Sequence, residues 1–365
     1  MKYLQAAIVG GGFIGKHHVE AIRRIPCTKV VAVCDRTTEM AKEIAEQMGI
    51  AFFYDSVDDM LKAHPDLDVM HNCSPSNLHY EVNKKAFEAG INVLCEKPFT
   101  LHSHESEALI PLAKKMKLLG GVQYNYRHNV IVEEMKERIH RGDIGKPWFV
   151  SAEYLQDWLL FETDYNWRCD STYGGNTRAL PDIGSHCFDT MQYMLGEKIV
   201  SVLCKRYIMH PERMVNGKAV KVENEDAAII HAKFESGLEA LVRVSQVSSG
   251  TKNDFRILVE GTKQSLSWSQ EQPDRLKMGN RNRANEELHA DARYLTGRAK
   301  DKIKLPHGHV PGWADAFTNS IHAFYKAIRN EGDTFDYTTF EEAHHIMKIT
   351  DACVKSDEMN AWVTV

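Results

Sequence analysis

Leu4-Gln5-Ala6-Ala7-Ile8-Val9-Gly10-Gly11-Gly12-Phe13-Ile14-Gly15 sets an apolar, strand-like run, Leu4 to Val9, directly against a glycine-rich turn. Glycines at 10, 12 and 15 fit GxGxxG, with Phe13 and Ile14 inside the motif. Glycine-rich turns are common, but one that follows a strand and opens a helix has a specific physical use. Gly10 permits the tight turn, Gly12 lets the backbone approach a pyrophosphate, and Gly15 lets helix and strand pack closely. The helix N-terminus then faces the negative charge. Asp35 lies 20 residues after Gly15, at the end of the second strand-like run. Its carboxylate can accept hydrogen bonds from adenosine ribose hydroxyls and would repel a 2′-phosphate. Arg36 pulls the other way, since an arginine there could stack on adenine or hold the extra phosphate of NADP. Asp35 decides for NAD over NADP.

The alternation continues outward from this turn. Ile14, Val19, Ile22 and Ile25 form the inner stripe of the first helix. Strands at Lys29 to Cys34, Ala51 to Tyr54, Asp68 to Asn72, Asn92 to Cys95 and around Val122 alternate with helices. One helix closes on Gly49, and Ser56 can cap another. Six strands with crossover helices suit a parallel, dinucleotide-binding sheet over residues 1–123. The texture then changes. Helices are expected at Val130 to Arg141 and Ser185 to Leu195. Strands are expected at Lys146 to Leu155, Ile199 to Met209, Ala227 to Phe234, Leu238 to Val247 and Phe255 to Glu260, with a hairpin turn at Ser236-Gly237. Residues 271–310 are polar and read as a long irregular excursion. Two helices close the chain, one with Trp313, Phe317, Ile321, Phe324 and Ile328 at helical spacing, the other opening on the capping-box pair Thr339 and Glu342. Residues 124–365 are therefore expected to form an α+β domain with a mostly antiparallel sheet.

Two segments carry chemistry. Cys95-Glu96-Lys97-Pro98 follows the fifth strand, which puts Lys97 at the carboxyl edge of the sheet, where such folds bind ligands. A lysine there could polarise or help protonate an oxygen; a plain exposed lysine is the alternative. Asp182-Ile183-Gly184-Ser185-His186 sets a carboxylate and an imidazole four residues apart, on one face if helical. A neutral imidazole can take a hydroxyl proton while hydride leaves the same carbon. The plainer possibility is a capping aspartate and a buried histidine.

Together these segments resemble the Gfo/Idh/MocA family, the glucose–fructose oxidoreductase and inositol dehydrogenase group. GGGFIG, Ser74-Pro75-Ser76-Asn77-Leu78-His79, EKP at 96–98, Asn125-Tyr126-Arg127 and DIGSH at 182–186 stand in the family's order and spacing. The resemblance spans nearly the whole chain. It implies a Rossmann domain followed by an α+β domain whose large open sheet joins a homo-oligomer, a dimer, a tetramer or larger. It implies Lys97, Asp182 and His186 as the catalytic group. Ser74, Pro75, Asn77 and His79 would line the dinucleotide, and Glu96 would lie near the nicotinamide ribose. Tyr154-Leu155-Gln156-Asp157-Trp158 and Tyr165-Asn166-Trp167-Arg168 look like members that oxidise sugars or glycosides, the levoglucosan and glucoside 3-dehydrogenase type. Gln156, Asp157, Trp158, Trp167, Arg168, Arg127 and His309 are thus candidate substrate residues, since aromatic faces and polar groups suit a pyranose. Ordinary packing explains each tryptophan equally well.

The chemistry implied is oxidation of a ring secondary alcohol, at carbon 3 in the glucoside-type members. Inositol dehydrogenase, a redox-neutral NAD-dependent glycosidase and a non-catalytic NAD-binding sensor are the rivals; an intact Lys97, Asp182 and His186 set argues against the sensor. The net charge of −5 gives no drive toward nucleic acid or an anionic membrane. No apolar run nears the ~18 residues of a membrane span, and no signal peptide is read at Met1, so cytoplasm is the expected location. The eight cysteines include no CxxC pair, and the histidine pairs lack an obvious third ligand, so no metal is expected.

Overall fold

A computed structural model of the chain describes residues 2–332 and 335–365. They form two compact units, one running to Tyr124 and including the described part of Phe317–His344, the other comprising Asn125–Ala316 and His345–Val365.

In the first unit, β1 (Leu4–Val9), β2 (Thr28–Cys34), β3 (Phe52–Tyr54), β4 (Val69–Asn72), β5 (Asn92–Cys95) and β6 (Gly120–Val122) pair in parallel in the order β6-β5-β4-β1-β2-β3. Leu4, Ala6, Ala7, Ile8, Val69, Met70, Val93 and Leu94 are essentially solvent-free, as expected of strands covered on both faces. Thr37 and Ser56 cap the helices Thr38–Met48 and Val57–Ala63 through their hydroxyls. The strand order reverses direction between β1 and β4, the place where ligands settle in sheets of this kind.

Thr338–Thr339 adds a seventh, antiparallel strand against β6. The sequence assigns this segment to the second domain; it packs with the first unit because Gly120 and Gly121 have no side chains. A Cβ at Gly120 would come within 2.7 Å of the Phe340 ring, and one at Gly121 would crowd Phe324. The glycine pair in a strand was the available signal.

The second unit holds a nine-stranded sheet. From one edge to the other it runs Glu286–His289, Gln272–Gly279, Ser265–Ser269, Asp254–Gly261, Pro147–Leu155, Glu239–Ser245, Ala227–Phe234, Ile199–Tyr207 and Val363–Thr364. All pairs are antiparallel except Pro147–Leu155 with Glu239–Ser245. Alternate residues such as Val150, Ala152, Ala228, Ile230, Ala240 and Val242 are buried, whereas Ile229 and Leu241 on the opposite face are about half exposed.

One expectation needs correction. Residues 271–310 are not wholly irregular: Gln272–Gly279 is the second strand from one edge of the sheet and Glu286–His289 is the edge strand itself. Arg275, Lys277, Glu286 and Glu287 line this pair, so the charge hid the short apolar alternation of Leu276 and Met278. A separate hairpin, Glu212–Val215 with Lys218–Lys221, turns on Asn216-Gly217, both at positive φ (51° and 76°). Asn-Gly is a strong hairpin turn because both residues tolerate positive φ.

Candidate active site

The first unit carries the residues expected to bind the dinucleotide. Gly10 has φ +89°, and a Cβ there would lie 2.6 Å from the Cys73 carbonyl carbon, at the reversal between β1 and β4. A Cβ at Gly15 would overlap the Gly10 carbonyl oxygen, whereas one at Gly12 would meet nothing within 4 Å. Thus Gly10 and Gly15 serve the backbone, and Gly12 faces open space at the start of the helix Phe13–Arg23. Asp35 Oδ2 accepts the Gly11 N–H (2.7 Å) and Oδ1 the Arg36 N–H (2.6 Å). Each oxygen keeps a lone pair for a further donor such as a ribose hydroxyl. Arg36 is exposed beside Met40, and Phe13 is 78% exposed over the same turn.

The Ser74–His79 loop is organised by Asn72, a residue not picked out from sequence. Asn72 Oδ1 accepts from the Ser74 hydroxyl (2.6 Å), and its Nδ2 donates to Asn83 Oδ1 (2.8 Å) and the His79 carbonyl. Pro75 is exposed at the tip. Asn77 Oδ1 is buried without a hydrogen-bond partner, an orphaned acceptor at the site. His79 is not free to contact a ligand directly. It is buried, with Nδ1 2.8 Å from the Pro98 carbonyl and Nε2 2.9 Å from the Ser74 carbonyl. Burial holds its pKa below the usual imidazole value despite those carbonyls; it ties the Ser74 loop to the segment after Lys97. Glu96 is buried and Lys97 is partly exposed. An open approach at Gly12, acceptors at Asp35 and the unmet Asn77 oxygen fit a dinucleotide.

The second unit carries Asp182 and His186, the expected acid–base pair. Asp182 sits in a single widened helical turn, Leu180–Gly184, and His186 in the first turn of the helix Ser185–Leu195 that follows. Such widened turns are frequent at functional sites. Asp182 Oδ2 accepts from Gln246 Nε2 (2.7 Å), and Oδ1 lies 3.6 Å from Arg168 Nε. The Arg168 guanidinium stacks over Trp167 at 4.3 Å. The nearly buried His186 ring meets Tyr126 edge-on (4.9 Å between centroids) and Tyr154 at a tilt (6.0 Å). From these tyrosines a polar network runs outward. The two hydroxyls are 2.7 Å apart, Tyr154 donates to Asn253 Oδ1 (2.8 Å), Gln156 Nε2 donates to the same oxygen (2.8 Å), and Trp158 Nε1 donates to Gln156 Oε1 (2.8 Å). Burial pushes the Tyr126 phenol up to about 12 and Tyr154 well above the usual range. Both therefore stay protonated hydrogen-bonding groups at ordinary pH.

The structure thus brings Gln156, Trp158, Trp167 and Arg168 to the same neighbourhood as Asp182 and His186, and adds Tyr126, Tyr154, Gln246 and Asn253. Three expected substrate residues stand differently. Arg127 is buried, and its guanidinium grips Asp189 through two nitrogens (Nε–Oδ2 2.9 Å) beneath Tyr193. Asp157 is engaged by Lys252 (2.7 Å) and the Gly250 N–H (3.1 Å), which fixes its own loop. His309 is an exposed side chain in the segment after Pro306. Among the described residues no cluster of three or more histidines, cysteines or carboxylates could hold a metal ion, and no helix is long and apolar enough to cross a membrane.

A Rossmann sheet with this turn, joined to a mixed-sheet unit that carries a histidine–aspartate pair, defines an NAD-binding oxidoreductase. An oxidoreductase-family model with an NAD-binding Rossmann fold matches residues 4–125, and a GFO/IDH/MocA C-terminal domain model matches residues 132–267. The chain belongs to the Gfo/Idh/MocA family, whose members include NAD-dependent sugar and polyol dehydrogenases. It is 28% identical to levoglucosan dehydrogenase of Pseudarthrobacter phenanthrenivorans, over 100% of this chain and 99% of that one. It is 30% identical to D-glucoside 3-dehydrogenase of Escherichia coli, over 53% and 54%. The solved structure of levoglucosan dehydrogenase in complex with NADH and L-sorbose superposes with a TM-score of 0.91, at 26% identity, covering 100% and 99% of the two chains.

Proposed function

We propose that this chain oxidises a ring secondary alcohol of a sugar or glycoside to a ketone, with carbon 3 as the favoured position. NAD, when bound, supplies the hydride acceptor. Gly10, Gly12, Gly15, Asp35, Ser74, Pro75, Asn77 and Glu96 are the residues that would hold it. His186 takes the hydroxyl proton, with Asp182 orienting it and supporting the imidazolium, and Lys97 donates a hydrogen bond to the reacting oxygen as negative charge develops there.

The observation that carries this reading is the network around His186. Tyr126, Tyr154, Asn253, Gln156 and Trp158 form one hydrogen-bonded run beside the histidine, and the Arg168–Trp167 stack holds the far side of Asp182. Amides and phenols alternating with aromatic faces are what a pyranose asks for, since it offers several hydroxyls and an apolar face. The names of the similar enzymes point to the same substrates.

The test is purified protein with NAD or NADP against glucose, glucosides, levoglucosan and inositols, followed by nicotinamide absorbance. NAD reduction with a glucoside or levoglucosan supports the proposal. Inositol as the sole substrate would move the assignment to inositol dehydrogenase. Glycoside cleavage without net NADH would make the enzyme a redox-neutral glycosidase.

A further inference from the structure

Behind Glu96 lies a run of buried polar groups, His18, His71 and Tyr325, that the proposed chemistry leaves unused. Glu96 Oε2 accepts the Lys97 backbone N–H (3.1 Å), and its Oε1 lies 2.9 Å from His18 Nε2. His18 Nδ1 is 2.7 Å from His71 Nδ1, and His71 Nε2 is 2.8 Å from the Tyr325 hydroxyl. Both histidines and Tyr325 have no solvent exposure, and Glu96 has 6%. The four residues come from the first helix, β4, the segment after β5 and the helix Trp313–Arg329, all within the first unit. Phe317 seals the run edge-on against His18, at 4.9 Å between ring centroids.

The donors can be assigned by elimination. An ionised carboxylate only accepts, so His18 Nε2 carries a hydrogen. With one N–H per imidazole, His18 Nδ1 is then a lone pair, and His71 donates to it from Nδ1. His71 Nε2 is left as an acceptor, and Tyr325 donates to it. The chain has one consistent polarity, from Tyr325 through His71 and His18 to Glu96. Buried polar groups are costly unless every link is made, and apolar side chains could fill the same space without that demand. Stability alone therefore does not account for two adjacent buried histidines.

We propose that His18, His71 and Tyr325 are positioning residues: their chain holds the Glu96 carboxylate in the orientation in which Oε2 accepts the Lys97 backbone N–H, and so fixes the stretch of backbone from which Lys97 acts. What Lys97 does there rests on the dehydrogenase reading; the chain itself does not.

The experiment measures kcat and KM separately for the full chain with NAD and its best sugar, in wild type, His18→Phe, His71→Phe, Tyr325→Phe and His18→Gln. His18→Phe and His71→Phe should each lose at least about tenfold in kcat with both KM values within about twofold, and Tyr325→Phe should lose least. His18→Gln retains an N–H for Glu96 and an oxygen for His71, and should recover most of the kcat lost in His18→Phe. Equal losses in His18→Gln and His18→Phe, or an unchanged kcat in both Phe variants, would reduce the chain to packing and overturn the proposal. Nitrogen-15 spectra of labelled histidines, assigned with the two Phe variants, need neither cofactor nor turnover. They should show His18 protonated on Nε2 and His71 on Nδ1; His71 protonated on Nε2 instead would overturn the polarity. A wild-type protein that reduces NAD with no sugar refutes the dehydrogenase reading, and these spectra then decide the chain alone.

Discussion

Replacing Gly12 by alanine separates cofactor binding from folding. Gly12 has φ −62° and ψ −164°, a backbone conformation that alanine adopts, and its new methyl would meet no protein atom within 4 Å. Glycine to alanine at such a site stabilises by about 0.4–1 kcal/mol, by narrowing the unfolded ensemble. A chain of 365 residues gains roughly 1–2 °C in Tm per kcal/mol, so Gly12→Ala should match or slightly exceed the wild-type Tm. The same methyl stands where a pyrophosphate must approach the turn, and NADH affinity should fall at least about tenfold, or about 1.4 kcal/mol. Gly15→Ala is the counterpart. Its methyl would overlap the Gly10 carbonyl oxygen and sit 3.1 Å from the carbon. Backbone must move to admit it, at about 1–3 kcal/mol or more, so its Tm should drop by roughly 1–4 °C or more. Thermal unfolding by circular dichroism and NADH titration by fluorescence read both quantities on the same samples. Wild-type NADH affinity in Gly12→Ala, or a loss of several degrees there, would refute the account of this turn.

Asp226 sits fully buried between Arg178 and Arg213 (2.6 Å to Arg213 Nη2). Asp226→Asn leaves both guanidiniums uncompensated and should cost about 3–5 kcal/mol in denaturant unfolding. Burial raises the Asp226 pKa, but the two guanidiniums and the His210 N–H outweigh it and leave it below the ordinary carboxylate value. A depressed folded pKa contributes stability above the unfolded value, near 4, that disappears as pH falls through the folded one. The stability gap between wild type and Asp226→Asn should therefore narrow in acid and stay constant from neutral to mildly alkaline pH. Asn253→Ala unties Tyr154 and Gln156 together, and should raise the sugar KM by about tenfold with the NAD KM within about twofold; equal changes in both would place the network elsewhere in the mechanism. The outer sheet face exposes Ile229 and Leu241, and is proposed to join subunits. Ile229→Asp with Leu241→Asp should halve or further reduce the mass read by light scattering, and an unchanged oligomer would remove this face from the interface.

How far the sequence could be read depended on whether a feature was local. The strand–turn–helix of Leu4–Gly15 was legible because backbone geometry demands glycine at 10 and 15, and the helix Ser185–Leu195 because its apolar residues recur at helical spacing. Gfo/Idh/MocA membership was legible because five short motifs keep a common order. The Tyr126–Tyr154–Asn253 network was not, because its members lie 28 and 99 residues apart and meet only through the sheet register that sets Phe255 opposite Tyr154. Arg127 looked available to substrate because its partner Asp189 is 62 residues away on another helix. The His18–His71–Tyr325 chain was equally hidden, since a buried histidine in a strand has no periodic signature. The two strands after residue 271 escaped because their charged residues mask the apolar alternation that marks a strand.

Lys97 and His186 are proposed to act on one substrate oxygen, and paired binding and turnover measurements on Lys97→Ala and His186→Ala address this most directly. Each variant should bind NADH within a few-fold of wild type and lose about 10²–10⁴-fold in kcat on the best sugar, with the double variant scarcely worse than either single one. Near-normal turnover in both single variants would contradict it.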